Sequence, residues 1–150
     1  MELILWRHAE AADTLPDLAR ELTRKGRRQA RDMAAWLSAQ LTGPVRVIAS
    51  PAARTRQTAE ALQRPVDIVA RIAPDASADA LLAASGWPNG HGVVILVGHN
   101  PAIGCLAARL AGAHEASLNL GRAAAFWYTS TPPGPALKIA MTPALLHHGV

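Results

Sequence analysis

This sequence contains very little cysteine and has no long apolar runs. Its 150 residues contain one cysteine, Cys105, so no disulfide can form within the chain. A lone cysteine is typical of a reducing compartment, and we therefore expect a cytoplasmic protein. No apolar run approaches the roughly 20 residues of a membrane-spanning helix, and the first residues lack the basic and apolar segments of a signal peptide. We expect neither a membrane protein nor a secreted, disulfide-rich one.

Aromatic residues are also scarce, and this bears on possible partners. Charged residues make up 17% of the chain, the formal net charge is +4, and nearly all the cations are arginines. The cations between Arg20 and Arg31 are not interleaved with aromatic residues, and no nucleic-acid-binding motif is present. We expect no nucleic-acid partner and no membrane partner. Binding a small phosphorylated substrate or a phosphorylated protein requires fewer cations than binding a nucleic acid, so a partner of this kind is favoured. The sequence leaves the oligomeric state open.

Half of the residues are hydrophobic, which predicts one globular domain over residues 1–150. Apolar runs predict strands at 2–7, 45–49, 66–69, 93–97, 123–129 and 136–141. Helical spacing and end signals predict helices at 23–41, 50–62, 75–85 and 101–111. The alternation of strands and helices predicts an α/β fold, with a mostly parallel sheet covered on both faces. A turn at 131–135 predicts that the last two strands form a hairpin at the sheet edge.

Local signals predict where three helices begin and which side chains are buried. Thr23 is expected to cap the first helix, Ser50 with Pro51 the second, and Asn100 with Pro101 the last. Residues 147–150 are expected to fray. Among the other side chains, Cys105 is expected to be buried, and the four tryptophans are expected to pack in the core or against loops. Solvent exposure is expected for His91, His114, His147 and His148.

Polar side chains follow three of the predicted strands. Arg7 and His8 end the first strand, Ser50 follows the second with Arg54 one turn later, and His99 ends the strand at 93–97. Ligands of α/β sheets bind at the carboxyl ends of the strands. Arginine presents a planar fork that matches phosphate oxygens. The pattern therefore predicts a phosphate held by arginines beside a histidine that can attack phosphorus.

Four blocks of the chain resemble one known family. The blocks are Leu5-Trp6-Arg7-His8-Ala9-Glu10, Arg20-Glu21-Leu22-Thr23-x-x-Gly26, Ser50-Pro51-x-x-Arg54-x-x-Gln57-Thr58 and Val97-Gly98-His99-Asn100-Pro101. Together they resemble the histidine phosphatase superfamily, and the second block is most similar to its SixA-type phosphohistidine phosphatase branch. The resemblance implies a phosphoglycerate mutase-like fold, a three-layer α/β/α sandwich with a mostly parallel central sheet.

The resemblance also implies a role for each matched residue. His8 would be the nucleophile and would form a phosphohistidine intermediate. Arg7 and Arg54 would hold the phosphoryl oxygens, and His99 would stabilise the transition state. Arg20 would be a further phosphate contact. Neither a metal nor a cofactor is expected, because arginines can supply the positioning and charge neutralisation that phosphoryl transfer needs.

The chain departs from the family pattern at two positions. Ala9 stands where the family commonly has glycine, and a methyl group there could crowd the site. Glu21 stands where this branch often has proline.

A general acid has no clear candidate in the sequence. Larger members of the superfamily carry one in an insertion, whereas residues 64–92 here are few and offer only Asp67, Asp75 and Asp79. Glu10 lies near His8 in sequence and could equally face solvent. The P–N bond of a phosphohistidine breaks more readily than a phosphate ester, and a short insertion predicts an open site. Both points favour phosphohistidine on a signalling or phosphotransfer protein as substrate.

Two other functions stay open at this point. One is a small-molecule phosphomonoesterase that uses the same residues. The other is a catalytically silent phosphate-binding module, against which His8 and His99 argue. Mutase activity is not expected, because a mutase must shield its phosphoenzyme from water.

Overall fold

The computed structural model describes residues 1–113 and 116–147, and six strands in this part of the chain form one sheet. The strand order is β3-β2-β4-β1-β5-β6. Strands β1 to β4 are parallel, and β5 and β6 form an antiparallel hairpin at one edge beside β1. The predicted parallel sheet and edge hairpin are confirmed. The strands are β1 Glu2–Arg7, β2 Val45–Ala49, β3 Val66–Ile68, β4 Val93–Gly98, β5 Ala125–Thr131 and β6 Gly134–Met141.

Helices cover both faces of this sheet, which confirms the predicted three-layer arrangement. They are α1 Arg24–Gln40, α2 Ala53–Glu60, α3 Ala78–Ser85, α4 Ala102–Leu110 and α5 Pro143–His147, with short 3-10 helices at Asp17–Ala19 and Ala70–Ile72. Alternate side chains of β1 enter opposite cores, because successive residues of a strand point to opposite faces. Ile4 and Trp6 contact the core under α1, and Leu3 and Leu5 contact the core under α3 and α4.

The predicted cap of α1 is confirmed, whereas the predicted caps of α2 and α4 are wrong. Thr23 Oγ1 accepts a hydrogen bond from the amide of Gly26. Helix α2 begins later than predicted, at Ala53, and the Ser50 hydroxyl instead contacts His99 and accepts from the Ala52 amide before the helix. Helix α4 begins after Pro101, and the side chain of Asn100 donates to a carbonyl oxygen across the site.

Several predicted boundaries shift by a few residues. Helix α3 begins at Ala78 and is capped by Ser77, so the predicted start at Asp75 is wrong. The hairpin turn is shorter than predicted, because β5 and β6 pair as far as Thr131 and Gly134. Residue 147, predicted to fray, ends α5.

The predicted environments of the other side chains are largely confirmed. Trp6 and Trp127 are buried, while Trp36 and Trp87 are partly buried against the two cores. Cys105 is half-buried, so the prediction of full burial is wrong.

The predictions for surface histidines are tested at two positions. His91 is exposed, as predicted, and the exposed ring of His147 pairs with Asp32. The predictions for His114 and His148 lie outside the described residues. Among the described helices, none combines the length and apolar character that crossing a membrane requires.

Candidate active site

A cavity of about 220 Å³ lies where β1, β2 and β4 end. The residues that line it are Arg7, His8, Ala11, Arg20, Arg54, Pro74, His99, Asn100 and Arg122. All five residues to which the family resemblance assigns a role are among them. Four guanidinium groups and two imidazoles in so small a space make it a site for an anion.

Backbone hydrogen bonds to neighbouring strands fix the chain at the end of β1. The His8 amide donates to Gly98 at 3.1 Å, and the Arg7 amide donates to Ala124 at 3.0 Å. The Ala9 amide donates to Thr58 Oγ1 at 3.1 Å, and its methyl group is buried in the core under α1. The alanine that replaces the family's glycine therefore packs into the protein interior and does not crowd the cavity.

The hydrogen bond made by His8 determines which of its ring nitrogens can react. Nδ1 lies 2.7 Å from the carbonyl oxygen of Ala9. Because a carbonyl oxygen can only accept, Nδ1 carries the proton of the neutral ring. The lone pair is then on Nε2, which is the nitrogen available to attack.

The protein environment keeps His8 neutral. Burial lowers the pKa of His8 to about 4, and the positive charges of Arg54, Arg7 and Arg20 act in the same direction. The hydrogen bond to Ala9 raises the pKa of His8, but less than burial lowers it. A neutral imidazole at physiological pH is the form that a nucleophile requires.

His99 lies beside His8, with the two ring centroids 5.3 Å apart. Its Nε2 is 2.8 Å from Ser50 Oγ, a contact that joins the ends of β4 and β2. Burial, followed by the charge of Arg54, lowers the pKa of His99 to about 3, so this ring is also neutral. Nδ1 of His99 is buried, and none of the described residues offers it a hydrogen-bond partner.

Arg54 is the most buried cation of the site, with a side chain that is only 5% exposed. Its Nη1 donates to the carbonyl oxygen of Asp17 at 2.9 Å, and its Nη2 donates to the Asp17 carboxylate at 3.2 Å. Arg20 also contacts this carboxylate, at 3.3 Å, and its Nε donates to Ala12 at 2.8 Å. Asp17 thus orients two of the arginines from outside the cavity.

Arg7 is held by the loop that precedes β5. Its Nη1 donates to the carbonyl oxygen of Leu120 at 2.7 Å. Burial lowers the pKa of Arg7, and the nearby charge of Arg122 lowers it further. An anion in the cavity would offset this repulsion between the two guanidinium groups.

Three buried donors or potential donors of the site have no partner among the described residues. They are Nε of Arg7, Nε of Arg54 and Nδ1 of His99. Buried polar groups are nearly always hydrogen-bonded, because leaving one unpaired costs about 1–3 kcal/mol. Three such atoms around one cavity indicate that it binds a ligand rich in acceptor oxygens.

Sequence reasoning assigned no role in the site to Arg122 or to Asp17. Arg122 lies three residues before the start of β5. Strand β5 runs antiparallel to β1, so the first residues of β5 lie beside the end of β1. Recognising the hairpin as the neighbour of β1 would have placed Arg122 at the site. Asp17 has no comparable signal, because the short 3-10 helix that it begins follows no strand of the sheet.

The acidic residues considered as general acids lie elsewhere or are already paired. Asp67 pairs with Arg46, Asp79 pairs with Arg109, and Asp75 is exposed. Glu10, which was not assigned to the site or to solvent, is partly buried and hydrogen-bonded to Thr23. The cavity lining contains no carboxylate among the described residues.

No three His, Cys, Asp or Glu side chains in residues 1–113 and 116–147 cluster closely enough to hold a metal ion. The segment at 64–92 contributes Pro74 to the cavity wall. Its helix α3 packs Leu81 and Ala84 into the core against α4, so α3 forms part of the sandwich and not a lid.

Comparisons with known proteins agree with this geometry. The sequence model of the histidine phosphatase superfamily (branch 1) matches residues 3–79. The phosphohistidine phosphatase SixA of Escherichia coli (strain K12) is 31% identical over 119 residues, which cover 73% of this chain and 74% of that protein.

Solved structures show the same likeness. A structure of the protein histidine phosphatase SixA complexed with tungstate has a TM-score of 0.81 and 27% identity, and covers 97% of this chain and 99% of that one. A candidate phosphohistidine phosphatase SixA from Agrobacterium tumefaciens has a TM-score of 0.81 and 24% identity, with 95% and 98% covered. The chain is an enzyme, a phosphatase that belongs to the SixA-type branch of the histidine phosphatase superfamily.

Proposed function

We propose that this phosphatase removes the phosphoryl group from phosphohistidine on a signalling or phosphotransfer protein, and that residues 1–150 act as one catalytic domain. His8 is the nucleophile, and Arg7, Arg54 and Arg20 hold the phosphoryl oxygens. The observation that carries the proposal is the set of unpartnered buried atoms, Nε of Arg7 and Arg54 and Nδ1 of His99, around a neutral His8.

The first chemical step transfers the phosphoryl group to the enzyme. The lone pair of His8 Nε2 forms a bond to phosphorus while the P–N bond of the substrate breaks, and the leaving imidazole takes up a proton from solvent. His8 keeps its Nδ1 proton, which the Ala9 carbonyl oxygen accepts in a hydrogen bond. The phosphorylated ring is therefore a cation, stabilised by that hydrogen bond.

The second step hydrolyses the phosphoenzyme. Water attacks phosphorus, the bond to His8 Nε2 breaks, and inorganic phosphate and a proton leave. Charge on the three transferring oxygens is stabilised by the guanidinium forks and by His99, whose Ser50 contact orients the ring. Because these donors are held before the substrate arrives, little reorganisation is needed.

A protein substrate fits a cavity over which the segment at 64–92 forms no lid. Helix α3, the main element of the segment at 64–92, packs into the core, and that segment lines the cavity at Pro74. A leaving imidazole also needs less protonation than an alkoxide, in keeping with a lining in which the described residues include no carboxylate. The relative from Escherichia coli carries the name phosphohistidine phosphatase.

The test is a comparison of kcat/KM for a histidine-phosphorylated phosphotransfer protein, free phosphohistidine and simple phosphate monoesters. We expect the phosphohistidine substrates to be hydrolysed at least about 100-fold more efficiently, because the described residues that line the site include no carboxylic acid to protonate an alkoxide. Efficient turnover of monoesters with none of phosphohistidine would overturn the proposal in favour of a small-molecule phosphomonoesterase.

A further inference from the structure

Arg122 lines the cavity but differs from the other cations there in its exposure. Its side chain is 56% exposed, whereas that of Arg54 is 5% exposed. Arg122 therefore lies at the mouth of the cavity, where a docked protein would contact it before the phosphoryl group is fully inside.

The backbone beside Arg122 is fixed to the catalytic strand. The amide of Ala123 donates to the carbonyl oxygen of His8 at 3.1 Å, and its own carbonyl accepts from the indole of Trp6 at 2.9 Å. Ala123 has φ of +61°, a left-handed conformation that a non-glycine residue keeps only when its surroundings hold it. Arg122 is thus held at a set position relative to His8.

The ion pair that Arg122 makes in the structure is replaceable. Its Nη1 lies 3.4 Å from Glu10 Oε2, a long contact on the protein surface. Exposed ion pairs of this kind contribute little to stability, because both charges are well solvated when they separate. The other oxygen of Glu10 accepts from Thr23 Oγ1 at 2.9 Å, so Glu10 would stay hydrogen-bonded if Arg122 changed partner.

The charges around the cavity favour a second acidic group on the substrate. Arg7, Arg20 and Arg54 lie deeper and can meet the oxygens of one phosphoryl group, which leaves Arg122 as an additional cation beside Arg7. A carboxylate from the substrate would offset the repulsion between these two guanidinium groups.

We propose that Arg122 is a specificity residue that binds an acidic side chain next to the phosphorylated histidine of the substrate protein. This inference rests on the proposed phosphohistidine phosphatase function. It identifies the preferred partner as a protein whose phosphohistidine has glutamate or aspartate beside it.

The experiment uses two phosphohistidine peptides that differ only in flanking residues, glutamate in one and glutamine in the other. We expect wild type to prefer the glutamate peptide by about fivefold in kcat/KM, mainly through KM, as a partly exposed ion pair allows. R122Q should reduce this preference to about one. The control R46Q removes a cation of similar exposure, 53%, that is ion-paired at the opposite end of β2, and should keep the preference.

Three results would overturn the inference, and they are distinguishable. If wild type shows no preference between the two peptides, or if R122Q keeps the preference of wild type, Arg122 has no role in specificity. The proposed phosphatase function would still stand. An equal loss by R122Q on both peptides and on free phosphohistidine would mean that Arg122 contacts the phosphoryl group itself. Failure of wild type to hydrolyse any phosphohistidine substrate, with monoesters turned over, would reject the proposed function and this inference together.

Discussion

The two ends of the parallel strands carry cavities that differ in size and in chemistry. The cavity at the amino ends is the larger of the two, about 380 Å³ against about 220 Å³, but its charged side chains Glu2 and Lys138 pair with each other. There, the Glu2 carboxylate accepts from Lys138 at 2.9 Å and from the Trp127 indole at 3.0 Å. At the carboxyl ends, Nε of Arg7 and of Arg54 are buried without partners among the described residues.

The difference shows that buried polar atoms without hydrogen-bond partners, and not the volume of the cavity, mark the functional site of this fold. In the amino-end cavity, the Glu2 carboxylate already accepts from Lys138 and Trp127, so a ligand that binds there would have to break these contacts. In the carboxyl-end cavity, Nε of Arg7, Nε of Arg54 and Nδ1 of His99 lack partners among the described residues, so an anion there can accept hydrogen bonds that folding leaves unmade.

The largest expected effect comes from replacing His8 with asparagine. His8→Asn removes the attacking nitrogen, so kcat should fall by about 1000-fold or more. The matched variant at the opposite cavity, Glu2→Gln, should keep kcat within about twofold. Both are measured on a histidine-phosphorylated protein. If His8→Asn kept more than a tenth of the activity, His8 would not be the nucleophile.

The same histidine should make the protein sensitive to acid. The pKa of His8 is about 4 in the folded protein and about 6.5 in an unfolded chain, so only the unfolded chain binds the proton between these values. The contribution of His8 to the free energy of unfolding is therefore fully present above pH 6.5. This contribution falls by about 2–3 kcal/mol as the pH drops toward 4.

Urea denaturation of wild type and His8→Asn at pH 7 and pH 4.5 tests this sensitivity. The carboxylates are common to both proteins, so the variant should lose less stability than wild type over this interval. Equal losses of stability in the two proteins would show that His8 binds its proton as tightly in the folded state as in the unfolded state.

Arg54 is expected to tolerate no substitution, even one that keeps its charge. Arg54→Lys should lower kcat/KM by about 30-fold, because an ammonium group cannot reach both the Asp17 oxygens and a phosphoryl oxygen as the guanidinium fork can. Inhibition by tungstate or phosphate should weaken in parallel. Arg46→Lys, at the other end of β2, is the control and should be silent; a similarly silent Arg54→Lys would show that its fork is not used.

The smallest expected effect concerns Ser50, a positioning residue that acts through His99. Ser50→Ala removes the hydroxyl that lies 2.8 Å from His99 Nε2, and kcat should fall by about fivefold with KM nearly unchanged. Ser130→Ala removes a hydroxyl that bonds to Met1 at the opposite end of β1, and should leave kcat unchanged. A rise in KM without a change in kcat would indicate that Ser50 acts in binding instead.

Features of the fold that depend on neighbouring residues were predictable from the sequence. Thr23 caps α1 through the amide of Gly26, three residues away, and the central strands β1 and β4 follow from continuous apolar runs. Arg7 and His8 were placed at the site because Arg7 ends β1 and His8 follows it, and a parallel sheet brings its strand ends to one edge.

What the sequence could not predict depends on contacts between distant residues. Ser50 has the local features of a helix cap, but its hydroxyl bonds to His99, which is 49 residues away. Asp17 holds Arg54 across 37 residues, and no periodicity or motif links the two. Arg122 reaches the cavity only because β5 lies antiparallel beside β1, a neighbour relation that the prediction of an edge hairpin left open.

The most direct measurement of the central claim is to find where the phosphoryl group resides during turnover. Wild type is mixed with a ³²P-phosphohistidine protein, quenched at alkaline pH within milliseconds, and mapped by mass spectrometry. We predict an acid-labile phosphoryl group on His8, attached at Nε2 because Nδ1 is bonded to the Ala9 carbonyl oxygen. Label found on another residue, or hydrolysis with no labelled enzyme at any time, would contradict the account.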